Sequence, residues 1–152
     1  MNREILFRGK SANTGEWVEG FCVQFGETYS NIIIREIGKL NLYGVVPIYE
    51  HEIVISETVG QYTGLKDKNG RKIFEGDIVR RFNRNGQEIM SYVVEWYSDC
   101  CMFVLDCIDF DMEFDTDFTV FYGDEFEIVG NIHDNPELVR KDEENGSSYK
   151  SD

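Results

Sequence analysis

Between Thr58 and Arg80 the chain reads TVGQYTGLKDKNGRKIFEGDIVR, and turn-forming residues recur there too often for a helix to grow. Lys68-Asn69-Gly70 ends in an Asn-Gly pair, which accepts positive φ at little cost and favours a tight hairpin turn. Gly76-Asp77 is a second break. Gly76 supplies the unusual dihedral, and Asp77 is suited to accept hydrogen bonds from nearby backbone amides. Ile78 and Val79 then open a β-branched run suited to a strand. Conformation alone accounts for Gly64, Asn69, Gly70, Gly76 and Asp77, which read as architectural.

The same alternation of short strands and turns runs along the rest of the chain. Strands are expected over 4–8, 16–25, 29–37, 42–49 and 52–55, with turns at Asn13-Thr14-Gly15 and Gly26-Glu27. Alternation of Ile53 and Ile55 with Val54 and Ser56 predicts a strand partly buried on both faces. Residues 57–64, rich in Thr and Gly, read as a linker. Strand character resumes over 73–81, broken at Gly76, and again over 88–97 and 102–105. Arg84-Asn85-Gly86-Gln87 forms the turn between them. No helical period and no βαβ alternation is present, so the chain is expected to be all-β.

Length permits one domain of 152 residues, burying roughly 70% of its unfolded surface, or two small units. The division expected is an N-terminal β subdomain over 1–57, a second over 58–139 and a polar, disordered tail over 140–152. Residues 1–139 folding as a single domain is the other reading. No apolar run approaches the ~20 residues that span a bilayer, and MNREILFRGK is too polar for a secretory signal. A cytoplasmic protein without membrane contact is therefore expected. Cys22, Cys100, Cys101 and Cys107 form no CxxC pair and are expected as free thiols. On a strand, adjacent Cys100 and Cys101 would face opposite ways, with one buried.

The net charge of −14 has a location. From Asn85 to Val139 there is no Lys or Arg but fourteen Asp and Glu, while the remainder balances fifteen acids against fifteen bases. The preceding stretch leans basic through Lys66, Lys68, Arg71, Lys72, Arg80, Arg81 and Arg84. Within the acidic window, Asp109, Asp111, Glu113, Asp115 and Asp117 alternate with Phe110, Met112, Phe114 and Thr116. On a strand that pattern sets five carboxylates on one face, about 6.8 Å apart. The plain reading is a solvated outer face or a protected edge. A hard cation is disfavoured, since a strand spreads the acids and Phe114 stands where a calcium loop needs glycine. Mimicry of a phosphate row, or a contact with a basic protein, is the functional reading.

At the other end, FEIVGNIHDNPELV closes the ordered sequence with a strand over 126–130. Asn135, Pro136 and Glu137 follow as a helix start, with Asn as cap. This ending, the opening Arg3-Glu4-Ile5-Leu6-Phe7-Arg8 and the stretch from Thr58 to Arg80 together resemble the YopX family of phage and prophage proteins. The matching motifs are Gly130-Asn131-Ile132-His133 and Asn135-Pro136-Glu137-Leu138; residues 85–125 match no family motif. The resemblance implies a mainly β protein with a small Src-homology-type barrel in its second half, and a phage or prophage origin. It carries over no catalytic, cofactor or metal residue.

The enzyme classes find little support. Walker, GxGxxG and GxSxG motifs are absent, and no zinc-type spacing joins His51 or His133 to the cysteines. A thiol–histidine pair has no local support. The chain is therefore expected to be a non-enzymatic interaction protein, without cofactor, contacting a protein partner through the acidic row. Self-association is expected, and the basic segment of one subunit is expected to meet the acidic strand of another, or of itself. The alternative is a nucleic-acid-associated protein using residues 66–84 with Phe74 and Phe82 for stacking, which the net charge opposes.

Overall fold

The computed structural model describes residues 4–25, 30–41, 44–83, 85–109, 116–117 and 126–139. Eleven strands in them form two antiparallel sheets. The first has the order β4-β3-β2-β1-β5-β6. It is built from β1 (Phe7–Lys10), β2 (Trp17–Phe25), β3 (Ser30–Asn41), β4 (Val45–Val54), β5 (Gly60–Lys66) and β6 (Lys72–Phe74). The second has the order β10-β9-β8-β7-β11. Its strands are β7 (Asp77–Phe82), β8 (Glu88–Tyr97), β9 (Met102–Cys107), β10 (Thr116–Asp117) and β11 (Phe126–Asn131). All-β is therefore the fold class. The expected short helical turn near the end is a 3-10 turn over Pro136–Leu138.

The first sheet curls on itself. The front half of β2 pairs with β1, Lys10 opposite Trp17 and Phe7 opposite Gly20, and its back half pairs with β3 from Phe21 opposite Ile34. The corner falls at Gly20, where a Cβ would collide with the Ile34 carbonyl oxygen, so only glycine lets the backbones approach. The far end of β4 closes against β1: Ser11 bridges Val54, the Ala12 amide donates to the Ile53 carbonyl and the Ile55 amide to the Lys10 carbonyl. Ile33 and Val54 are buried inside the curl.

β6 is the wall between two cores. Ile73 packs with Val79, Tyr92, Val94, Leu105 and Phe126 in the second body, while Phe74 packs with Leu6 and Tyr62 in the first. Successive residues of one strand face opposite ways, so three residues suffice to join both bodies. Gly76, at φ +80°, turns the chain straight into β7, and Asp77 Oδ2 accepts the Phe74 amide at 2.8 Å. The turn at Asn69-Gly70 forms as expected, with Gly70 at φ +82°.

Several expectations change. Residues 57–64 are not a linker: a 3-10 turn over Ser56–Thr58 leads into β5, which pairs with both β1 and β6. The first sheet thus continues past residue 57. Cys100 and Cys101 lie in the turn between β8 and β9, both exposed, with Cys101 at φ +54°, because Ser98 and Asp99 end the strand first. Cys107 is the buried thiol, and all four are free. Val54 is buried but Ile53 and Ile55 are exposed, so β4 covers one face only. Asn135 makes no side-chain cap; its Oδ1 accepts the Asn131 amide instead. The turn at 26–27 and the tail over 140–152 lie outside the described residues.

Candidate functional site

The two bodies meet at a charged seam. Arg8 leaves β1 with its guanidinium 4.6 Å from the Trp17 ring centre and 4.9 Å from that of Phe74. Its Nη2 lies 2.6 Å from Asp77 Oδ1 and donates to the Glu75 carbonyl at 3.4 Å. Burial pushes the Asp77 carboxyl above its ordinary pKa; the Arg8 guanidinium and the Phe74 amide draw it back only in part. Two residues further along β1, Lys10 pairs with Asp134, which also accepts Trp17 Nε1–H at 2.7 Å and Asn131 Nδ2–H at 2.8 Å. Hydrogen bonds from Asn131, Lys10 and Trp17 hold the Asp134 carboxyl well below its ordinary pKa. His133 packs beside Trp17, ring centres 6.0 Å apart, and burial with the Arg8 and Lys10 charges lowers its pKa. A cavity of about 360 Å³ opens along the seam beside Arg8, Trp17, Arg71, Asp77 and Asn131. Among the described residues, no group of three or more His, Cys, Asp or Glu is placed to hold a metal ion.

A second feature lies on the outer side of the curled sheet. Register sets Phe21, Ile34 and His51 in one cross-strand row, Val23, Ile32 and Ile53 in the next, and Glu36 with Tyr49 in a third. Rows two residues apart share a face. Phe21, Tyr49 and Ile53 are 58%, 54% and 49% exposed, so no described residue covers this apolar face. Beyond Ile34 the β3–β4 pair has no β2 beneath it and continues as a two-stranded ribbon with exposed Leu40, Val45 and Val46.

With the seam and the face described, comparison with known proteins assigns the chain. The YopX protein family matches residues 6–140. The chain belongs to the YopX family. Among solved structures it is similar to protein EF1440 from Enterococcus faecalis, at 24% identity and a TM-score of 0.50, over 90% of this chain and 99% of that one. That likeness concerns the fold. No curated protein matches the chain. The stretches that carry the YopX resemblance, far apart in sequence, converge on the seam: Arg8 from the first, Gly76 and Asp77 from the second, Asn131 and His133 from the third.

The basic segment is already engaged within the chain. Lys68 pairs with Glu127 at 2.6 Å and sits 3.9 Å over the Phe82 ring; Lys72 meets Glu19 at 3.3 Å; Arg80 meets Glu88 at 3.3 Å. Arg71 binds Asp67 and donates to the Ile128 carbonyl. Glu127 of β11 and Glu88 of β8 thus pair with Lys68 and Arg80 within the same molecule. Phe74 is buried and Phe82 lies under Lys68, which leaves neither ring open for base stacking. Lys66 is exposed, and Arg84 lies outside the described residues.

Of the acidic row, Asp111, Glu113 and Asp115 lie outside the described residues. Asp109 is exposed and its Oδ2 accepts the Ser91 amide at 2.7 Å, while Asp117 pairs with Val104 at the edge of the second sheet. The apolar face was not legible in the sequence. Of Ile32, Ile33 and Ile34, only Ile33 is fully buried. The nearest signal was Phe21 and Val23 alternating with Cys22 in β2.

Proposed function

We propose that this YopX-family chain is a phage or prophage accessory protein, active in the bacterial cytosol as a non-enzymatic protein-interaction module. Its contact surface is the apolar outer face of β2, β3 and β4. The observation that carries the reading is the exposure of Phe21, Tyr49 and Ile53 in adjoining rows of one sheet face. A contiguous apolar patch on a soluble chain marks a docking surface more often than a chance excess of hydrophobes. The seam supports the reading indirectly: its charged groups are spent on one another across the two bodies, as a structural joint requires. The net charge of −14 and the pairing of Lys68, Arg71, Lys72 and Arg80 oppose a nucleic-acid surface at the basic segment.

Site-specific photo-crosslinking in bacterial cells tests this. A benzophenone side chain at position 49 should give a discrete protein adduct, and one at exposed Asp106 on the second sheet should not. Adducts of equal yield at both positions, or none at 49, would remove the face as a contact surface.

A further inference from the structure

We infer that the occupant of this face is a second copy of the same chain, docked face to face about a twofold axis near Ile32 and Ile34. The inference rests on the interaction-module reading and adds the partner's identity. Such an axis sets the Phe21 side of each copy against the Tyr49 and Ile53 side of the other, the reciprocal contact that a twofold interface requires.

The area is of the right size. With the partly covered Val23, Ile32 and Ile34, the patch presents on the order of 400 Å² of apolar surface. A standard interface buries about 800 Å² per partner, a little over half of it apolar. The patch thus supplies about the apolar share of one side, with the surrounding polar groups as rim.

Charge does not oppose a like partner at this face. The excess of acids falls in residues 85–139, which build most of the second sheet. Beside the patch, Glu36 lies 3.6 Å from Lys39, and Glu19 is held by Lys72 at 3.3 Å. The Arg35–Glu50 pair, at 2.8 Å, projects from the reverse face by alternation. Among the described residues, two copies meeting at this face therefore bring no uncompensated acids together. A basic partner, which the net charge would attract, finds no free carboxylate among the described residues of the patch.

Edge-to-edge pairing of β4 is the competing geometry, and Pro47 works against it. The Ile53 carbonyl and the Ile55 amide point away from β3, toward β1. By alternation the polar groups of residues 51, 49 and 47 point the same way, along the free edge. Pro47 occupies one of those slots and has no N–H to offer, a usual device for blunting an edge. The end of the edge is covered by Ser11. Face-to-face packing of sheets about 10 Å apart remains.

The test is the mass of the purified 152-residue chain by sedimentation equilibrium from about 1 μM to about 500 μM. Wild type should rise from 17.7 kDa toward twice that value. Phe21→Asp with Tyr49→Asp should weaken the dimer at least ~10-fold, and Val46→Asp, on the reverse face of the same ribbon, should not. Because aspartates in a sheet can unfold it, far-UV dichroism accompanies each variant. The benzophenone at position 49 gives a second readout in the purified protein that needs no destabilising change. A crosslinked product at twice 17.7 kDa supports the inference. A chain that stays at 17.7 kDa throughout and gives no such product overturns it. If position 49 then still crosslinks a different protein in cells, the interaction-module reading stands with another occupant. If it crosslinks nothing, both fall.

Discussion

Asp67 carries the sharpest stability prediction. Its side chain is fully buried in the turn after β5, yet it stays ionised because four donors surround it. Oδ1 accepts the Asn69 and Arg71 amides, both at 2.9 Å. Oδ2 accepts Arg71 Nε–H at 3.0 Å and the Ile128 amide at 3.2 Å, tying the turn to β11. Burial raises the carboxyl pKa, but the Arg71 and Ile128 amides and the Arg71 guanidinium outweigh it, and the net direction is down. Asp67→Asn keeps the shape and removes the charge. Whichever way the amide is turned, its NH2 group faces two donors, so two hydrogen bonds to a charged acceptor are lost together. At roughly 1.5–3 kcal/mol each, discounted because half-exposed Arg71 rehydrates, the cost should be about 3 kcal/mol. With a urea m-value of about 2 kcal/mol per M, the unfolding midpoint should fall by about 1.5 M at pH 7. The pH dependence follows from the direction of the shift. A folded pKa below the unfolded value of about 3.9 gives stability that is complete above that value and is lost as pH falls through the folded one. The gap between wild type and variant should therefore be full at pH 7 and shrink below about pH 4. A midpoint change under about 0.3 M at pH 7, or a gap that persists in acid, would refute the reasoning.

Three further outcomes follow from the same structure. Asp134→Asn should lower stability by about 1 kcal/mol at pH 7, a modest figure because the Lys10 pair is partly exposed; its depressed pKa means the difference should fade as pH drops below about 4, as thermal melts would show. Glu75→Gln should raise Tm by more than about 1 °C at pH 7, since burial raises the Glu75 pKa and its stabilising term is lost as pH rises; below about pH 4 the two proteins should melt alike. Gly20→Ala should cost about 2–3 kcal/mol, because its Cβ would meet the Ile34 backbone, whereas Gly38→Ala, whose nearest neighbour is Ile48 Cδ1 at 4.0 Å, should be close to neutral in urea unfolding.

What could be read before folding was local. Asn69-Gly70 and Gly76-Asp77 announced their turns because positive φ is a property of single residues. Strand β8 starts and stops where its β-branched and aromatic run does. The linker expected at 57–64 shows where local reading stops. Gly60 looks like a breaker, yet its role is a close approach: a Cβ there would lie 2.6 Å from the Glu75 carbonyl oxygen. Gly64, at φ +92°, accompanies an irregular register inside a continuous strand. The Arg8–Asp77 pair joins strands distant in sequence, which no local pattern encodes, and the Phe21–Ile34–His51 row depends on the register of two successive hairpins, β2–β3 and β3–β4.

The convergence of the family-like stretches on the seam bears on how function should be sought. Arg8, Gly76, Asp77, Asn131 and Asn135 are motif residues, and each serves the architecture through an interbody ion pair, a left-handed turn, a buried amide cap, or a hydrogen bond that shapes the last turn. Residues so occupied are poorly placed to bind anything else, since each donor or acceptor given to a ligand would be withdrawn from the joint. In this chain those stretches fasten the two β bodies to each other. Phe21, Tyr49 and Ile53 make the opposite case: large side chains left half in water, outside those motifs, serve neither core. Substitutions at the seam should thus register first in stability, and substitutions on the β2–β3–β4 face first in association. A seam variant that abolished association while leaving stability intact would break that division.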